Sequence, residues 1–384
     1  MDLFKKCFDF TAVDEAKAAH LYPYFPTVTS RQGARVMMDG LETIMVGSSN
    51  YLGLSGDERV IQATKDALEK YGTGCSGTRF FNGTTDLHLE LEKEIAAFAG
   101  KEAATVFPTG FQSNVAIIEA IAGDNDIIFG DAANHESILT GIKVSSAEYV
   151  AFPHNDYDAL EKALSEADES KGKLVIVDGV YSFDGTVANI PKLVELKEKY
   201  GTRLMVDDSH GFGSVGATGR GTCDYFGLMD KVDLLMATFS KCFVSIGGFI
   251  AADKAVVNYV SHLAGAYTNT AALPPANAAT ILASLKILKE EPWRAQKAQS
   301  NAEYVRERMR EKGIPFIEDA VAPIVSVKMK DEMSTYVCHL KLRAKGVFTN
   351  VLVDNLVLRT CYNALHTKED LDYVVEQFEA VLSE

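Results

Sequence analysis

Nothing in these 384 residues supports a disulfide framework or a metal centre. The cysteines Cys7, Cys75, Cys223, Cys242, Cys338 and Cys361 stand apart, with no C-x-x-C pair and no zinc-like spacing. Such usage fits a reducing cytoplasm. The opening MDLFKKCFDF lacks an apolar signal core, and no stretch approaches the roughly 18 apolar residues needed to span a bilayer. Membrane contact is therefore expected to be peripheral at most. Basic charge is scarce too: 38 Lys and Arg stand against 53 Asp and Glu, for a net charge of -15. That balance argues against nucleic acid as a partner, because phosphate binding depends on clustered Lys and Arg. Repeats and low-complexity tracts are absent as well. What is present is the composition of a globular chain, 47% hydrophobic and 24% charged, long enough for two domains.

The first 45 residues read as an arm: a short helix over Asp14–His20, an aromatic turn from Tyr22 to Pro26, and a hairpin around Gly40. From Asp57 to Tyr71, apolar residues recur at helical spacing, with Asp57 as cap and Gly72 beyond the end. Short apolar runs then alternate with helix-like segments. The runs are Ala104–Phe107, Asp126–Phe129, Leu174–Val177, Leu204–Val206, Leu234–Met236 and Phe249–Ala252. This alternation predicts an α/β fold, a mostly parallel sheet with helices on both faces, and places ligands beyond the strand carboxyl ends. The large domain is expected over residues 46–283. Beyond Pro274-Pro275, helical Ala276–Leu288 and Trp293–Lys312 lead to strand-like Ile324–Val327, Gly346–Phe348 and Leu356–Thr360, then a last helix over Lys368–Leu382. These features suggest a smaller α+β domain over residues 284–384.

The polar residues that follow the apolar runs carry the chemistry. Asp207-Asp208-Ser209-His210-Gly211 delivers a carboxylate and an imidazole at a strand end; alone, it reads equally well as a helix cap and a surface histidine. Thr238-Phe239-Ser240-Lys241 delivers an amine beside two hydroxyls, able to form an imine with an aldehyde cofactor and to hold its phosphate, although a solvated loop lysine would look the same. The two segments strengthen each other. A pyridine cofactor needs an acidic partner at its ring nitrogen as well as a lysine at its aldehyde, and Asp207 meets the first need. His210 could then reach the ring's phenolic oxygen. Thr109-Gly110-Phe111, opening a helix, suits a phosphate; His135 is the better candidate of Asn134-His135 to stack on the ring; Ser182 follows another run. In isolation each of these reads more simply as a turn residue.

Six ordered blocks then carry a resemblance over nearly the whole chain: Ser49–Gly53, Gly72–Arg79, Asn82–His88, Asp207–Gly213, Thr238–Lys241 and Leu273–Ala276. Together they resemble the α-oxoamine synthases, a branch of the fold-type I pyridoxal-phosphate enzymes. The resemblance implies a large domain with a mostly parallel seven-stranded sheet, and the cofactor pyridoxal 5'-phosphate held by Lys241 as a Schiff base. It further implies Asp207 at the pyridine nitrogen, His210 and Ser182 near the phenolic oxygen, His135 on the ring, and Thr238 and Ser240 on the phosphate, which the helix start at Thr109, Gly110 and Phe111 would also suit. Thr270 would come from a second subunit of a homodimer with shared active sites. Lys241, His135, Asp207 and His210 are the expected catalytic residues, and Asn50 and Arg359 the expected substrate contacts, Arg359 binding the amino-acid carboxylate with its planar fork.

The implied reaction joins an amino acid to an acyl-CoA with loss of carbon dioxide and of the thiol, giving an α-amino ketone. The wording of Tyr22–Phe25, Asn82–His88 and Ser245–Asp253 is closest to the branch that uses L-serine and a long-chain acyl-CoA. Glycine or alanine with another acyl thioester, a carrier-protein-bound donor, another fold-type I activity and a catalytically dead regulatory subunit are the alternatives. One departure stands out. Where the family has a Pro-rich loop before its arginine, this chain has only Thr349–Asn355, read as a shortened loop, and no arginine lies between Arg343 and Arg359.

Overall fold

The computed structural model describes residues 1–384. Its strands are β1 Arg35–Met38, β2 Leu41–Met45, β3 Ala103–Phe107, β4 Asp126–Asp131, β5 Glu148–Phe152, β6 Gly172–Asp178, β7 Arg203–Asp207, β8 Leu234–Thr238, β9 Gly248–Ala252, β10 Ile324–Lys328, β11 Val347–Phe348, β12 Asn350–Leu352 and β13 Val357–Cys361. Seven of them form the main sheet in the order β3-β9-β8-β7-β6-β4-β5, and only β9 runs against its neighbours. This is the α/β architecture that the alternating runs predict.

The apolar runs become interior strands because both of their faces are covered. Alternate residues feed two separate cores: Val175, Val177, Leu204 and Val206 pack on one side, and Leu174, Ile176 and Met205 on the other. Edge strand β5 escapes sequence reading for the opposite reason. Its Glu148, Tyr149 and Ala151 are exposed, so it presents no apolar run. The helix Glu58–Tyr71 forms as its periodicity requires, with the Asp57 side chain accepting from the Arg59 N–H at 3.0 Å.

The C-terminal unit is an antiparallel sheet, β10-β13-β12, against the helices Trp293–Lys312, Glu332–Ala344 and Lys368–Leu382. The N-terminal hairpin is knitted to it. β2 pairs in parallel with β11, and Ile44 and Val46 enter the same core as Val325 and Phe378. The expected shortened loop over Thr349–Asn355 is instead a hairpin. Asn350–Leu352 pairs with Val357–Arg359, and the Leu356 N–H closes the turn on the Val353 carbonyl. Three partly buried residues too few to show a period concealed that strand. The first expected helix also ends sooner, at Ala18, because His20 has φ +56°, outside helical geometry. The helices Pro275–Glu290 and Trp293–Lys312 are separate, the former fastened to the large unit through Thr280 and Thr64 hydroxyls 2.7 Å apart. No helix is long and apolar enough to cross a membrane.

Candidate active site

Because β3, β4, β6, β7 and β8 run in one direction, the residues that follow them arrive at one end of the sheet. There Thr109, Gly110, Phe111, His135, Ser182, Asp207, His210, Thr238, Ser240 and Lys241 line a single cavity of about 350 Å³. Every residue expected at the cofactor, except Thr270, thus meets in one place.

Gly110 opens the helix Gly110–Ile121, whose free N–H groups and dipole favour an anion. Thr238 stands directly across from it. A Cβ added to Gly110 would lie 2.5 Å from the Thr238 Cβ, so only glycine leaves this cradle open. The Thr238 hydroxyl donates to the Gly247 carbonyl at 2.9 Å and lies 3.0 Å from the Ser240 hydroxyl. Ser209 braces the same strand end, its hydroxyl accepting from the Thr238 N–H at 3.1 Å.

Asp207, at the end of β7 and buried, is held from two directions: Asn114 donates to Oδ2 at 2.7 Å and the Ser209 N–H to Oδ1 at 3.0 Å. Asn114 also donates to the Ser137 hydroxyl at 2.9 Å, which lies 2.7 Å from His135 Nδ1. The Ser137 N–H points to that same nitrogen, making Nδ1 an acceptor and leaving Nε2 as the protonated, free nitrogen. Burial holds His135 below its ordinary pKa, with Asp207 opposing the shift. The ring is therefore neutral near pH 7.

Asp178 faces Asp207 in register across β6 and β7. Burial, then the Asp207 charge, drives its carboxyl well above the usual range, and its Oδ1 has no partner. His210 bonds through Nδ1 to the Tyr51 hydroxyl at 2.8 Å, and burial followed by the Lys241 and Arg359 charges keeps it well below its ordinary value. Lys241 is likewise lowered by burial, with Asp207 and Asp178 pulling the other way. The result is an amine that deprotonates more easily than a solvated lysine.

The expected substrate residues lie nearby but elsewhere. Asn50 lines an adjoining cavity that shares Ser240, Lys241 and Ile246 with the first; its Oδ1 accepts from the Leu54 N–H at 3.0 Å, and its buried Nδ2 has no partner. Arg359, on β13, reaches toward the site and donates to the Ser182 carbonyl at 2.8 Å, while its Nε is unpartnered. Thr270 is not among the lining residues of its own chain; its neighbour Ala271 bridges Thr78.

Sequence reading missed Asn114, Ser137, Asp178, Ser209 and Tyr51. Asn114 carried the clearest signal, an amide four residues after Gly110, on the same helix face, just before the apolar run Val115–Ile118. The donor set fits pyridoxal 5'-phosphate: a cradle only glycine leaves open and two hydroxyls for a phosphate, an anchored carboxylate for a ring nitrogen, and an easily neutralised amine for an aldehyde.

The sequence profile of the family described as aminotransferase class I and II matches residues 42–378. A serine palmitoyltransferase of Bacteroides ovatus is 43% identical over 366 residues, covering 94% of this chain and 93% of that protein. An 8-amino-7-oxononanoate synthase of Thermosipho melanesiensis is 39% identical over 375 residues, covering 96% of each. Among solved structures, a serine palmitoyltransferase from S. paucimobilis with a bound PLP–myriocin aldimine superposes with a TM-score of 0.95 at 30% identity, covering 99% of this chain and 98% of that one.

Proposed function

This chain belongs to the class I and II aminotransferase family, in its α-oxoamine synthase branch, and from that premise we propose that it condenses L-serine with a long-chain acyl-CoA. It is a pyridoxal-phosphate-dependent acyltransferase of fold type I, similar to bacterial serine palmitoyltransferase. The proposed products are a 3-keto sphingoid base, CoA and carbon dioxide, with palmitoyl-CoA as the donor. The convergence of Lys241, Asp207, His135, His210 and Ser182 on one cavity supports the cofactor chemistry, and the 43% identity to a serine palmitoyltransferase over 94% of the chain is what favours serine and a long acyl chain.

Pyridoxal phosphate, when bound, supplies the electron sink that makes a bond to the amino-acid Cα labile. In this reading Lys241 holds the cofactor and afterwards takes up and returns the Cα proton, a task suited to an amine that burial makes easier to neutralise. Asp207, bonded by Asn114 and the Ser209 N–H, keeps a proton on the ring nitrogen. With the cofactor bound, His135 would lie against its ring and offer Nε2–H toward the amino-acid carboxylate, while His210 and Ser182 would serve the phenolic oxygen. The Gly110 and Phe111 N–H groups, Thr109, Thr238 and Ser240 hold the phosphate. Arg359 and Asn50 orient the amino acid. A bond then forms between Cα and the thioester carbonyl carbon, the C–S bond breaks with CoA leaving as the thiolate, and the carboxylate departs as carbon dioxide, the electron pair left at Cα taking the proton that Lys241 returns.

The same proposal makes the working unit a homodimer, with the partner subunit's Thr270 completing each phosphate site. Supporting it, Phe80 and Phe81 are exposed on the segment next to the Thr78–Ala271 bridge, apolar surface that a second copy would cover.

The test is a matrix of glycine, alanine, serine and threonine against acyl-CoAs of increasing length, with product masses read directly. Serine with long chains is expected to give the highest kcat/KM. Preference for alanine with another acyl thioester would replace this reading with that of the Thermosipho relative.

A further inference from the structure

A second cluster of buried titratable side chains, outside the cofactor cavity, lies at the end of β4. Asp131 is fully buried and accepts four hydrogen bonds: from His154 Nδ1 at 3.0 Å, the Ala133 N–H at 2.8 Å, the Asn155 N–H at 2.9 Å and the Tyr181 hydroxyl at 2.9 Å. Burial pulls His154 down and Asp131 up, yet the bond between them, helped on Asp131 by the Asn155 and Ala133 N–H groups, reverses both shifts. The His154 ring packs edge-on against Tyr181, 4.3 Å between centroids, and also meets Phe183, while its Nε2 lies 4.0 Å from Asp184.

Tyr181 belongs to a short hairpin after β6, closed by the Val180–Val187 bridge and by the Tyr181 N–H on the Thr186 carbonyl. The other side of this hairpin is gripped by the C-terminal unit. The Phe183 carbonyl accepts from the Ser326 hydroxyl at 2.6 Å, the Gly185 carbonyl from the Val321 N–H at 3.1 Å, and the Ser182 carbonyl from Arg359 at 2.8 Å. That last bond is the only side-chain hydrogen bond Arg359 makes, and its Nε is already unpartnered. The guanidinium is therefore aimed by the position of one carbonyl, which follows directly on Tyr181.

We propose that Asp131, His154 and Tyr181 are positioning residues that set the Ser182 carbonyl, and through it the Arg359 guanidinium, so that affinity for the amino-acid carboxylate is controlled from the end of β4. The inference rests on the reading of Arg359 as the carboxylate ligand. It makes the hairpin a joint between the two units: the large sheet fixes one side, the C-terminal unit holds the other, and Ser182 lies in both the cofactor cavity and the joint.

The test uses cofactor-loaded protein and reads equilibrium L-serine binding from the change in cofactor absorbance. Tyr181→Phe, which removes one oxygen, is expected to weaken serine binding about five- to tenfold, with the KM for acyl-CoA and the cofactor band unchanged. Arg359→Ala is expected to weaken it about tenfold or more, and the double variant no further than Arg359→Ala alone. His154→Asn, which keeps a donor toward Asp131, should bind like the parent, whereas His154→Leu should match Tyr181→Phe; this pair carries the test if Tyr181→Phe does not load cofactor. The proposal is overturned if Tyr181→Phe binds serine normally, or if its effect multiplies with that of Arg359→Ala. Unchanged affinity in Arg359→Ala would instead remove the reading of Arg359 itself.

Discussion

Asp207 and Asp208 are adjacent carboxylates with different surroundings. Asp207 lines the cavity, whereas Asp208 is sealed away, accepting from the Thr222 N–H at 2.8 Å and the Thr222 hydroxyl at 2.6 Å. Burial pushes Asp208 up to about 7 in spite of those two bonds. The folded chain therefore retains a proton that the unfolded chain releases near the ordinary value of 3.8. This contribution to stability is fully present below that value and is lost as pH rises through about 7. Asp208→Asn should flatten the fall, which amounts to at most about 1.4 kcal/mol per pH unit inside the window. Urea midpoints of both proteins at pH 5 and pH 8 check this, and parallel pH dependences would contradict it. The residue types at the site were legible because imine formation, ring protonation and phosphate binding each demand a particular side chain. The environment that separates Asp207 from Asp208 was not, since neighbouring residues share one sequence context and differ only in what packs against them.

Among the elements, the hairpin after β6 shows how backbone geometry serves the site. Gly185 has φ +80°, and a Cβ there would lie 2.9 Å from the Ile324 Cβ and 3.3 Å from the Ala320 Cβ. Only glycine meets both demands at this crossing between units. Gly185→Ala should cost about 2 kcal/mol by adding backbone strain to a rigid contact, read as a lower urea midpoint with an unchanged cofactor band. A midpoint equal to the parent's would show that β10 yields easily. Strands with covered faces were readable as apolar runs, and the helix Lys368–Leu382 keeps the limits its periodicity predicted. β5 and β12 were not, because an exposed edge and a three-residue ladder leave no pattern to detect.

At the scale of the whole molecule, Thr270 separates a site made by one chain from a site made by two. It lies outside the cavity of its own subunit. Heterodimers of a Lys241→Ala subunit with a Thr270→Tyr subunit would put both lesions in one site and leave the other intact, so turnover should return to about half the parent value per dimer, one site in two. If Thr270 served its own chain, neither site would recover. What the sequence by itself determined was the sheet with its functional end and a lysine and carboxylate suited to a pyridine aldehyde, because strand period and strand-end chemistry are local properties of the chain; the reaction class came from the resemblance that its six ordered blocks carry. The tertiary structure alone decided the partnerships: Asn114 with Asp207, Tyr51 with His210 and Arg359 with Ser182 meet across 93, 159 and 177 residues. Contacts at such separations are set by strand order, register and the docking of one unit on another, and no local pattern encodes which side chains those will bring within 3 Å.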